Sequence, residues 1–284
     1  LALALARLTG ASCGFLGEGA NSVGGHVAKA LPTALNAYEM FAQPRKAYVL
    51  LGVEPELDCH NPQQAVAALR EAALVVALTP FADGLARDYA DVLLPIAPFT
   101  ETAGTFVNAE GRLQSFQGVV RPLADSRPGW KVLRVLGNLL GLPGFEQESS
   151  EQVRDEIVPP GQDFVAGLNN GLAALPLSLA AAGSGLQRVA DVPIYFADPL
   201  ARRAPALQKT CDAATPMARM SAQTLATLRI GDGVPVRITQ ANGEVVLTAR
   251  ADETVPAGCV RVAAAHAATA ALGEMFGAIN VERA

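Results

Sequence analysis

One short stretch of the sequence does most to decide the fold: Thr100–Arg112, with the sequence TETAGTFVNAEGR. Its second half and the residues that follow it form two strand-like arms, Thr105–Asn108 and Arg112–Phe116. Between the arms, Gly111 supplies the positive-φ position that a short hairpin loop requires. The stretch therefore predicts a β-hairpin.

Three charged residues accompany this hairpin: Glu101, Glu110 and Arg112. They are placed to form ion pairs across it, and the spacing fixes no third polar group near them. The pattern therefore favours a salt-bridged hairpin over a catalytic acid–base pair.

Strand-like and helix-like segments alternate before the hairpin. Ala47–Leu51 and Leu74–Leu78 are compact apolar runs, and Pro62–Ala73 between them carries apolar residues on one helical face, with Asn61 as the N-cap. Asp91–Pro95 is a further short strand. Continuous apolar strands separated by helices are typical of a parallel sheet that is covered on both faces. We therefore expect an α/β fold with a doubly wound, mostly parallel sheet.

A glycine-rich turn near the start of the chain, Gly17–Gly25, is a candidate ligand loop. It follows the strand-like Cys13–Leu16, and loops at the carboxyl ends of strands are where α/β sheets bind ligands. Gly17 and Gly19 begin a dinucleotide-loop pattern, but Ser22 stands at the position of the third glycine and no Walker lysine follows. Two interpretations stay open, nucleotide binding and a purely structural turn.

The second half of the chain has a different pattern. Trp130–Leu142 has the apolar spacing of an amphipathic helix, and proline and glycine interrupt the residues after it as far as about Gly185. From Pro205 onwards short β-branched runs and tight turns take over, and Asn242-Gly243 is the strongest hairpin signal. We therefore predict an α/β domain over residues 1–145, an irregular connection over 146–204 and a small β-barrel over 205–284.

The composition argues against several classes of protein. Half of the 284 residues are hydrophobic but only 5% are aromatic, which predicts cores of Ala, Val and Leu. The longest apolar runs, such as Ala72–Leu78 and Leu172–Leu177, are far shorter than the ~20 residues that span a bilayer. The formal charge is −5, with no run of Lys or Arg. We therefore expect neither membrane insertion nor nucleic-acid binding.

Cysteine and histidine spacings indicate no metal site. Cys13, Cys59, Cys211 and Cys259 lie far apart, without a C-x-x-C pair or a His-x-x-x-His partner. His266 lies in an apolar, helix-like context, where a half-buried, hydrogen-bonded histidine is expected rather than a ligand. No iron–sulfur cluster and no other metal is therefore expected within this chain.

The hairpin stretch also carries a family resemblance. The sequence resembles the signature of the molybdopterin oxidoreductase superfamily at Leu93–Pro95, Glu101–Thr105, Asn108 and Glu110–Arg112. That superfamily includes formate dehydrogenases, nitrate reductases and the large iron–sulfur subunit of respiratory complex I. Within it, the sequence is similar to the complex I branch at Gly19–Gly24, Gln114–Phe116, Pro128–Leu133, Arg202–Gln208 and Gly273–Arg283. The resemblance covers essentially the whole chain.

This resemblance implies a fold and a set of site residues. In molybdenum-containing relatives, the α/β domain and a terminal double-psi-like β-barrel clamp two pterin dinucleotides. The loops near that site correspond here to a group of vestigial pterin-site residues: Gly17, Gly19, Asn21, Glu101, Thr102, Gly104, Thr105, Asn108, Glu110, Gly111 and Arg112.

The complex I branch implies a function for the parent protein. The chain would be a C-terminal scaffold segment of the large iron–sulfur subunit of the proton-translocating NADH:quinone oxidoreductase, beginning inside a longer protein. The 2Fe-2S and 4Fe-4S clusters would belong to the preceding part of that subunit, so this segment would carry no cofactor and be inactive alone. Its partners would be the other hydrophilic-arm subunits, on the cytoplasmic side and peripheral to the inner membrane.

Two alternatives stay open. The chain could be part of a molybdopterin-dependent, formate dehydrogenase-like oxidoreductase whose loops still hold a pterin dinucleotide. It could also be a stand-alone nucleotide-binding module, which would bind common nucleotides in isolation.

Overall fold

The computed structural model describes residues 1–17, 19–169, 183 and 185–284. Glu18 of the glycine-rich turn and residues 170–182 and 184 of the predicted connection, including the apolar run Leu172–Leu177, lie outside the described residues. Among those that are described, no helix is both long enough and apolar enough to cross a membrane.

Helices are distributed over the whole described chain. Their bounds are α1 (Ala2–Thr9), α2 (Ser22–Val27), α3 (Ala37–Ala42), α4 (Pro55–Asp58), α5 (Pro62–Glu71), α6 (Ala86–Tyr89), α7 (Gly129–Leu139), α8 (Ser150–Ile157), α9 (Pro199–Arg202) and α10 (Ala222–Leu228). Side chains cap several of these helices, and the predicted cap at Asn61 is confirmed. The Asn61 side chain accepts a hydrogen bond from Gln64 N at 3.1 Å, and the Ser221 hydroxyl accepts one from Thr224 N at 3.3 Å.

The strands are short and concentrate after residue 180. Their bounds are β1 (Ala47–Leu51), β2 (Leu74–Thr79), β3 (Val92–Pro95), β4 (Gly104–Val107), β5 (Leu113–Phe116), β6 (Gln187–Val189), β7 (Ala218–Met220), β8 (Pro235–Gln240), β9 (Gly243–Ala251), β10 (Cys259–Arg261), β11 (Phe276–Ala278) and β12 (Asn280–Arg283).

The chain divides into two compact units, each drawn from two separate segments. Unit 1 consists of Leu1–Ala34 and Pro95–Leu179, and unit 2 consists of Leu35–Leu94 and Ala180–Ala284. The units therefore alternate along the sequence, whereas the predicted domains follow one another. The domain boundaries at residues 145 and 205 stay a prediction.

Unit 2 contains the predicted parallel sheet, with strand order β1-β2-β3. β1 and β2 are parallel, and Ala47 lies opposite Leu74. One face packs against α3 and α5 through a core that includes Tyr48, Leu50 and Val75. The opposite face presents apolar side chains to solvent, among them Val49, Leu51, Leu74 and Val92. The α/β fold class with a parallel sheet is confirmed.

The second part of unit 2 is a β-sheet that curls into a half-barrel, consistent with the predicted double-psi-like barrel. In the described part of the chain its strand order is β11-β6-β10-β7-β9-β8-β12. Parallel pairs (β6 with β10, β7 with β9) alternate with antiparallel ones. Its core is built from fully buried side chains, among them Met220, Val236, Ile238, Val260 and Leu272.

Direct contacts join the two parts of unit 2. The side-chain amide of Gln63, on α5, donates to the carbonyl oxygens of Gln240 and Ala271. The backbone of His60 accepts a hydrogen bond from Met275 N at 3.0 Å, and the His60 ring stacks on Phe276 with centroids 6.1 Å apart. The sheet and the half-barrel therefore form one unit, although 85 residues separate the two segments of that unit in sequence.

A buried arginine forms hydrogen bonds between separate segments of the half-barrel. Arg188, on β6, is 2% exposed, and its guanidinium donates to the Gln240 side chain at 3.1 Å and to the carbonyls of Gly273 and Glu274. Burial lowers the pKa of Arg188 to about 10. Among the described residues no carboxylate forms an ion pair with it, so carbonyl dipoles stabilise this cation.

The predicted hairpin between β8 and β9 exists, but its turn lies one residue earlier than the Asn-Gly signal indicates. Gln240 pairs with Gly243, so Ala241, with φ 49°, and Asn242 form the turn. Gly243 is part of the strand, and a Cβ there would overlap the carbonyl oxygen of Ala271. Close backbone approach, and not a left-handed turn, requires glycine at this position.

Two other local predictions are wrong. Cys13–Leu16 forms no strand, and the side chains of Phe15 and Leu16 are exposed. His266 lies in a series of turns and not in a helix, because its Nδ1 accepts a hydrogen bond from Ala268 N that fixes a local turn. The histidine is nonetheless half-buried and hydrogen-bonded, as expected, and burial lowers its pKa.

The segment after β1 buries acidic and thiol groups. Glu56 accepts a hydrogen bond from the Tyr89 hydroxyl at 3.0 Å. Burial raises the pKa of Glu56, an effect that the hydrogen bonds to its carboxylate oppose. Burial also raises the pKa of the Cys59 thiol to about 11, and the neighbouring Asp58 and Glu56 add to the shift.

We expect Gly243→Ala to destabilise the protein by about 1–3 kcal/mol, because the added methyl group must displace the Ala271 backbone. Urea unfolding measures the change. Gly273→Ala is the matched control, since a Cβ there meets its neighbours at 3.7 Å or more and should change stability little. Equal effects of the two substitutions would contradict the close approach.

We expect Glu56→Gln to stabilise the protein more at pH 7 than at about pH 4. The folded-state pKa of Glu56 lies above its ordinary value of 4.5, so the fold favours the protonated carboxyl, and its contribution is lost as pH rises through the folded pKa. Glutamine stays neutral and still offers an oxygen to Tyr89. Urea midpoints at the two pH values measure the difference. Glu71→Gln, at an exposed position of α5, is the matched control substitution.

Candidate functional site

Unit 1 contains the hairpin predicted from Thr100–Arg112. β4 and β5 pair antiparallel, and the Thr105 and Ser115 hydroxyls lie 2.9 Å apart across them. The Phe106 and Phe116 rings meet edge to face at 5.0 Å. A Cβ at Gly104 would lie 2.6 Å from the Phe116 ring, so glycine is required where the aromatic ring crosses the strand.

An asparagine closes the hairpin turn, and the predicted ion pairs are wrong. Asn108 Oδ1 accepts hydrogen bonds from Glu110 N at 3.0 Å and Arg112 N at 2.9 Å, and Gly111 has the expected positive φ of 81°. Glu101 instead accepts a hydrogen bond from Leu123 N at 3.0 Å. Among the described residues, the exposed Glu110 and Arg112 side chains have no charged partner.

A second asparagine links the glycine-rich turn to the hairpin. Asn21 Oδ1 accepts a hydrogen bond from Val107 N at 2.8 Å, and Gly24 lies so close that a Cβ would overlap this oxygen. The Ser22 hydroxyl donates to Gly19 O at 2.9 Å and accepts from Gly19 N. No strand precedes the turn, so its predicted likeness to a dinucleotide loop is not accompanied by the strand–turn–helix structure that such loops use.

The turn and the hairpin border a cavity of about 240 Å³. Its walls are mostly apolar and come from α2, β4, β5, α7 and α8, and they include Asn21, Gly104, Thr105, Trp130 and Arg154. The Arg154 guanidinium lies 2.6 Å from Asp155. A flat, mostly apolar group with a few polar atoms fits such walls.

A second cavity, of about 560 Å³, adjoins the first, and Ala103, Trp130 and Ser150 line both. Residues from the first turns of α7 and α8 line it, so the positive ends of two helices lie at its wall. Its lining also contains three cationic and three carboxylate side chains: Arg121, Arg127, Lys131, Glu101, Glu148 and Glu151.

These six charged side chains do not pair with one another. Among the described residues, no ion pair within 4.0 Å joins any two of them. Arg127 donates to the carbonyls of Ala124 and Ser126. Hydrogen bonds from the backbone and from Ser149 and Ser150 lower the pKa of Glu151. The second cavity therefore offers both cations and hydrogen-bond acceptors to a ligand.

Five of the eleven pterin-site residues implied by the family resemblance line one of the two cavities. Asn21, Gly104 and Thr105 line the first cavity, and Glu101 and Thr102 line the second. The other six lie outside both linings: Gly17 and Gly19 lie against Ser22, and Asn108, Glu110, Gly111 and Arg112 form the hairpin turn. Sequence reasoning missed Arg121 and Arg127, which carry no local motif. Trp130 and Lys131 were named as part of a predicted helix and of the family resemblance, and not as site residues.

Two family models match this chain. Residues 4–139 match the family model described as "Molybdopterin oxidoreductase". Residues 200–281 match the model described as "Molydopterin dinucleotide binding domain". The chain belongs to the molybdopterin oxidoreductase superfamily. This superfamily is one of oxidoreductases, and the match confirms the broader part of the predicted resemblance.

Two relatives from Staphylococcus aureus, of strains USA300 and NCTC 8325 / PS 47, are both named "Putative formate dehydrogenase". Each relative is 42% identical to this chain over 69 residues. These residues are 24% of this chain and only 7% of the relative's length. These matches support the family but give no specific support to complex I.

A solved structure shares the fold. Acetylene hydratase from Pelobacter acetylenicus superposes with a TM-score of 0.60 and 16% sequence identity, covering 87% of this chain and 46% of that chain. At this identity the likeness concerns the fold alone.

We expect Asn108→Ala to destabilise the molybdopterin-oxidoreductase-like unit 1 by about 1–2 kcal/mol, because two backbone N–H donors in the tight turn lose their acceptor. Urea unfolding monitored at Trp130, the single tryptophan, measures this. Asn138→Ala on exposed α7 should change stability by no more than about 0.5 kcal/mol. Asn108→Asp keeps the acceptor and should restore most of the loss.

Proposed function

We propose that this chain forms part of the pterin-dinucleotide-binding scaffold of a molybdopterin-dependent, formate dehydrogenase-like oxidoreductase. The observation that carries the proposal is the match of residues 200–281 to a pterin-dinucleotide-binding domain. The names of the Staphylococcus aureus relatives also support it. Together they favour this alternative over a complex I scaffold segment, although the complex I-like motifs of the sequence are compatible with both.

The residues of unit 1 fit such a cofactor. A pterin dinucleotide combines anionic phosphates with flat heterocycles that carry N–H donors. Arg121 and Lys131, without charged partners among the described residues, match the phosphates, and so do the positive amino-terminal ends of α7 and α8. The carboxylates of Glu148 and Glu151 match N–H donors. The larger cavity lies within the usual size range of ligand pockets, about 300–1,000 Å³.

The chain's own residues have binding and orienting roles in this proposal. Arg121, Arg127 and Lys131 would hold phosphate oxygens, and Trp130, which lines both cavities, would offer an apolar ring face to a heterocycle. The hydrogen bond from Val107 N to Asn21 would keep the two walls of the smaller cavity in register. When bound, the cofactor supplies the molybdenum-based two-electron chemistry, which these side chains do not perform themselves.

We propose formate as the substrate of the whole enzyme, on the basis of the relatives' names. A formate dehydrogenase removes two electrons and a proton from formate and releases carbon dioxide. Because the aligned stretch is 7% of those relatives, any substrate site belongs to the whole enzyme. The complex I hypothesis, with its hydrophilic-arm partners and cytoplasmic location, differs in one testable respect: it requires no pterin.

Cofactor analysis of the protein tests this proposal. The protein is purified from a host that makes molybdenum cofactor, and oxidised fluorescent pterin and hydrolytically released nucleotide are quantified per chain. We expect both in stoichiometric amounts. Arg121→Gln/Lys131→Gln should lower the occupancy about tenfold or more, because each lost charge-assisted hydrogen bond weakens binding by about 1.5–3 kcal/mol.

The control is Lys46→Gln, which removes an exposed cation outside the cavities and should leave occupancy unchanged. A pterin-free wild-type protein, from a host whose own molybdoenzymes are loaded, would overturn the proposal and favour the complex I hypothesis. Normal occupancy in Arg121→Gln/Lys131→Gln would reject the assignment of the phosphates to this cavity.

A further inference from the structure

Two neighbouring arginines form ion pairs with a group of carboxylates at one edge of the parallel sheet. Arg202 ends α9 and Arg203 follows it. Glu54 comes three residues after β1, and Asp83 comes four residues after β2. Because β1 and β2 are parallel, both loops lie at the carboxyl edge of the sheet, where α/β folds bind ligands. All of these residues belong to unit 2.

Arg202 forms the more buried half of this arrangement. Its Nη1 lies 2.7 Å from Glu54 Oε2, and its Nη2 contacts Asp58, the last residue of α4. The side chain of Arg202 is 6% exposed and that of Glu54 is 12% exposed. Its Nε donates to the carbonyl of Phe196 at 2.7 Å, so one guanidinium binds both the loop after β1 and its own segment.

Arg203 forms the outer half. Its Nε and Nη2 both contact the Asp83 carboxylate, at 3.0 and 2.6 Å, and its guanidinium also contacts Glu54. Its carbon Cζ lies 4.0 Å from the centroid of the Phe81 ring. Nη1 donates to the carbonyl of Pro199 at 3.1 Å, so this side chain also links the sheet edge to its own segment.

The segment that carries these arginines has little regular structure of its own. Residues 194–213 consist of the four-residue α9 and three 3-10 turns, Ile194–Phe196, Leu207–Lys209 and Cys211–Ala213. None of these residues belongs to a strand of the described sheets. Gln208 bonds within the segment, to the carbonyls of Tyr195 and Ala201. At the sheet edge, therefore, the arginine–carboxylate contacts are what hold the segment.

We propose that residues 194–213 form a strap that closes the carboxyl edge of the β1–β2 sheet, with Arg202 and Arg203 as its clasp. The strap opens as a local unit, without unfolding the half-barrel, and the largely buried Glu54 carboxylate at the sheet edge is accessible only in the open form. Local openings of this kind are expected where a segment has few strand or core contacts. This opening of the strap does not require a bound cofactor.

Hydrogen exchange of the full chain tests this proposal. In Arg202→Gln/Arg203→Gln, amides of residues 194–213 should exchange about tenfold faster or more than in the wild type, because part-buried charged hydrogen bonds are lost. Amides of β8 and β9 should keep their wild-type rates. The control is Arg237→Gln, which removes exposed ion pairs to Glu244 and Glu282 on the half-barrel and should leave the strap unaffected.

Asp83→Asn gives a milder test if the double variant does not fold, because Asp83 is 63% exposed and contacts only Arg203 of the clasp. It should speed exchange in the strap by a smaller factor. Unchanged exchange of residues 194–213 in either folded variant would overturn the proposal. So would an equal acceleration in the strap and in β8 and β9, since the segment would then be an integral part of the half-barrel.

Discussion

The parallel pairing of β1 with β2 is the constraint on which much of unit 2 depends. Parallel strands begin at the same edge, so the chain must cross back through α5 between them, and both following loops come out side by side. That crossing places Glu54 and Asp83 within reach of the same guanidinium. It also places Gln63, on the crossing helix, against the half-barrel.

Long-range contacts explain why the compact units do not follow the order of the sequence. The sheet and the half-barrel share polar contacts at Gln63 and His60, and ion pairs join Glu54 to Arg202 and Arg203. Contacts of this kind bring together residues that are about 150 to 200 positions apart, at a loop-closure cost that grows only slowly with length. Domain boundaries predicted from composition follow the order of the sequence. They cannot reveal that an early segment of the chain packs against a later one.

Local signals predicted much of the fold. β1 agrees residue for residue with its predicted run, β2 extends one residue further, and the cap at Asn61 forms as expected. The failures have a common cause, which is that tertiary contacts decide them. Gly243 is selected by the approach of Ala271, and Cys13–Leu16 has strand-like residues but no strand beside it.

The candidate site was only partly predictable for the same reason. Asn21, Glu101, Thr102, Gly104 and Thr105 were indicated by resemblance and do line the two cavities. Arg121 and Arg127 lie in an irregular stretch whose course depends on contacts such as the pairing of Ile96 with Arg127. The hairpin turn shows the opposite case: its charges were expected to form ion pairs, and an uncharged side chain, Asn108, closes it.

The acidic surroundings of Cys59 have a chemical consequence for the whole protein. A thiol reacts with oxidants and electrophiles as the thiolate, and with a pKa of about 11 Cys59 is almost entirely protonated at neutral pH. Burial is the main reason why this sulfur is unreactive, and the neighbouring Asp58 and Glu56 carboxylates add to the effect. Cys211, by contrast, is exposed. Oxidative damage and alkylation should therefore begin at Cys211, while Cys59 survives as a reduced thiol for as long as the edge stays folded.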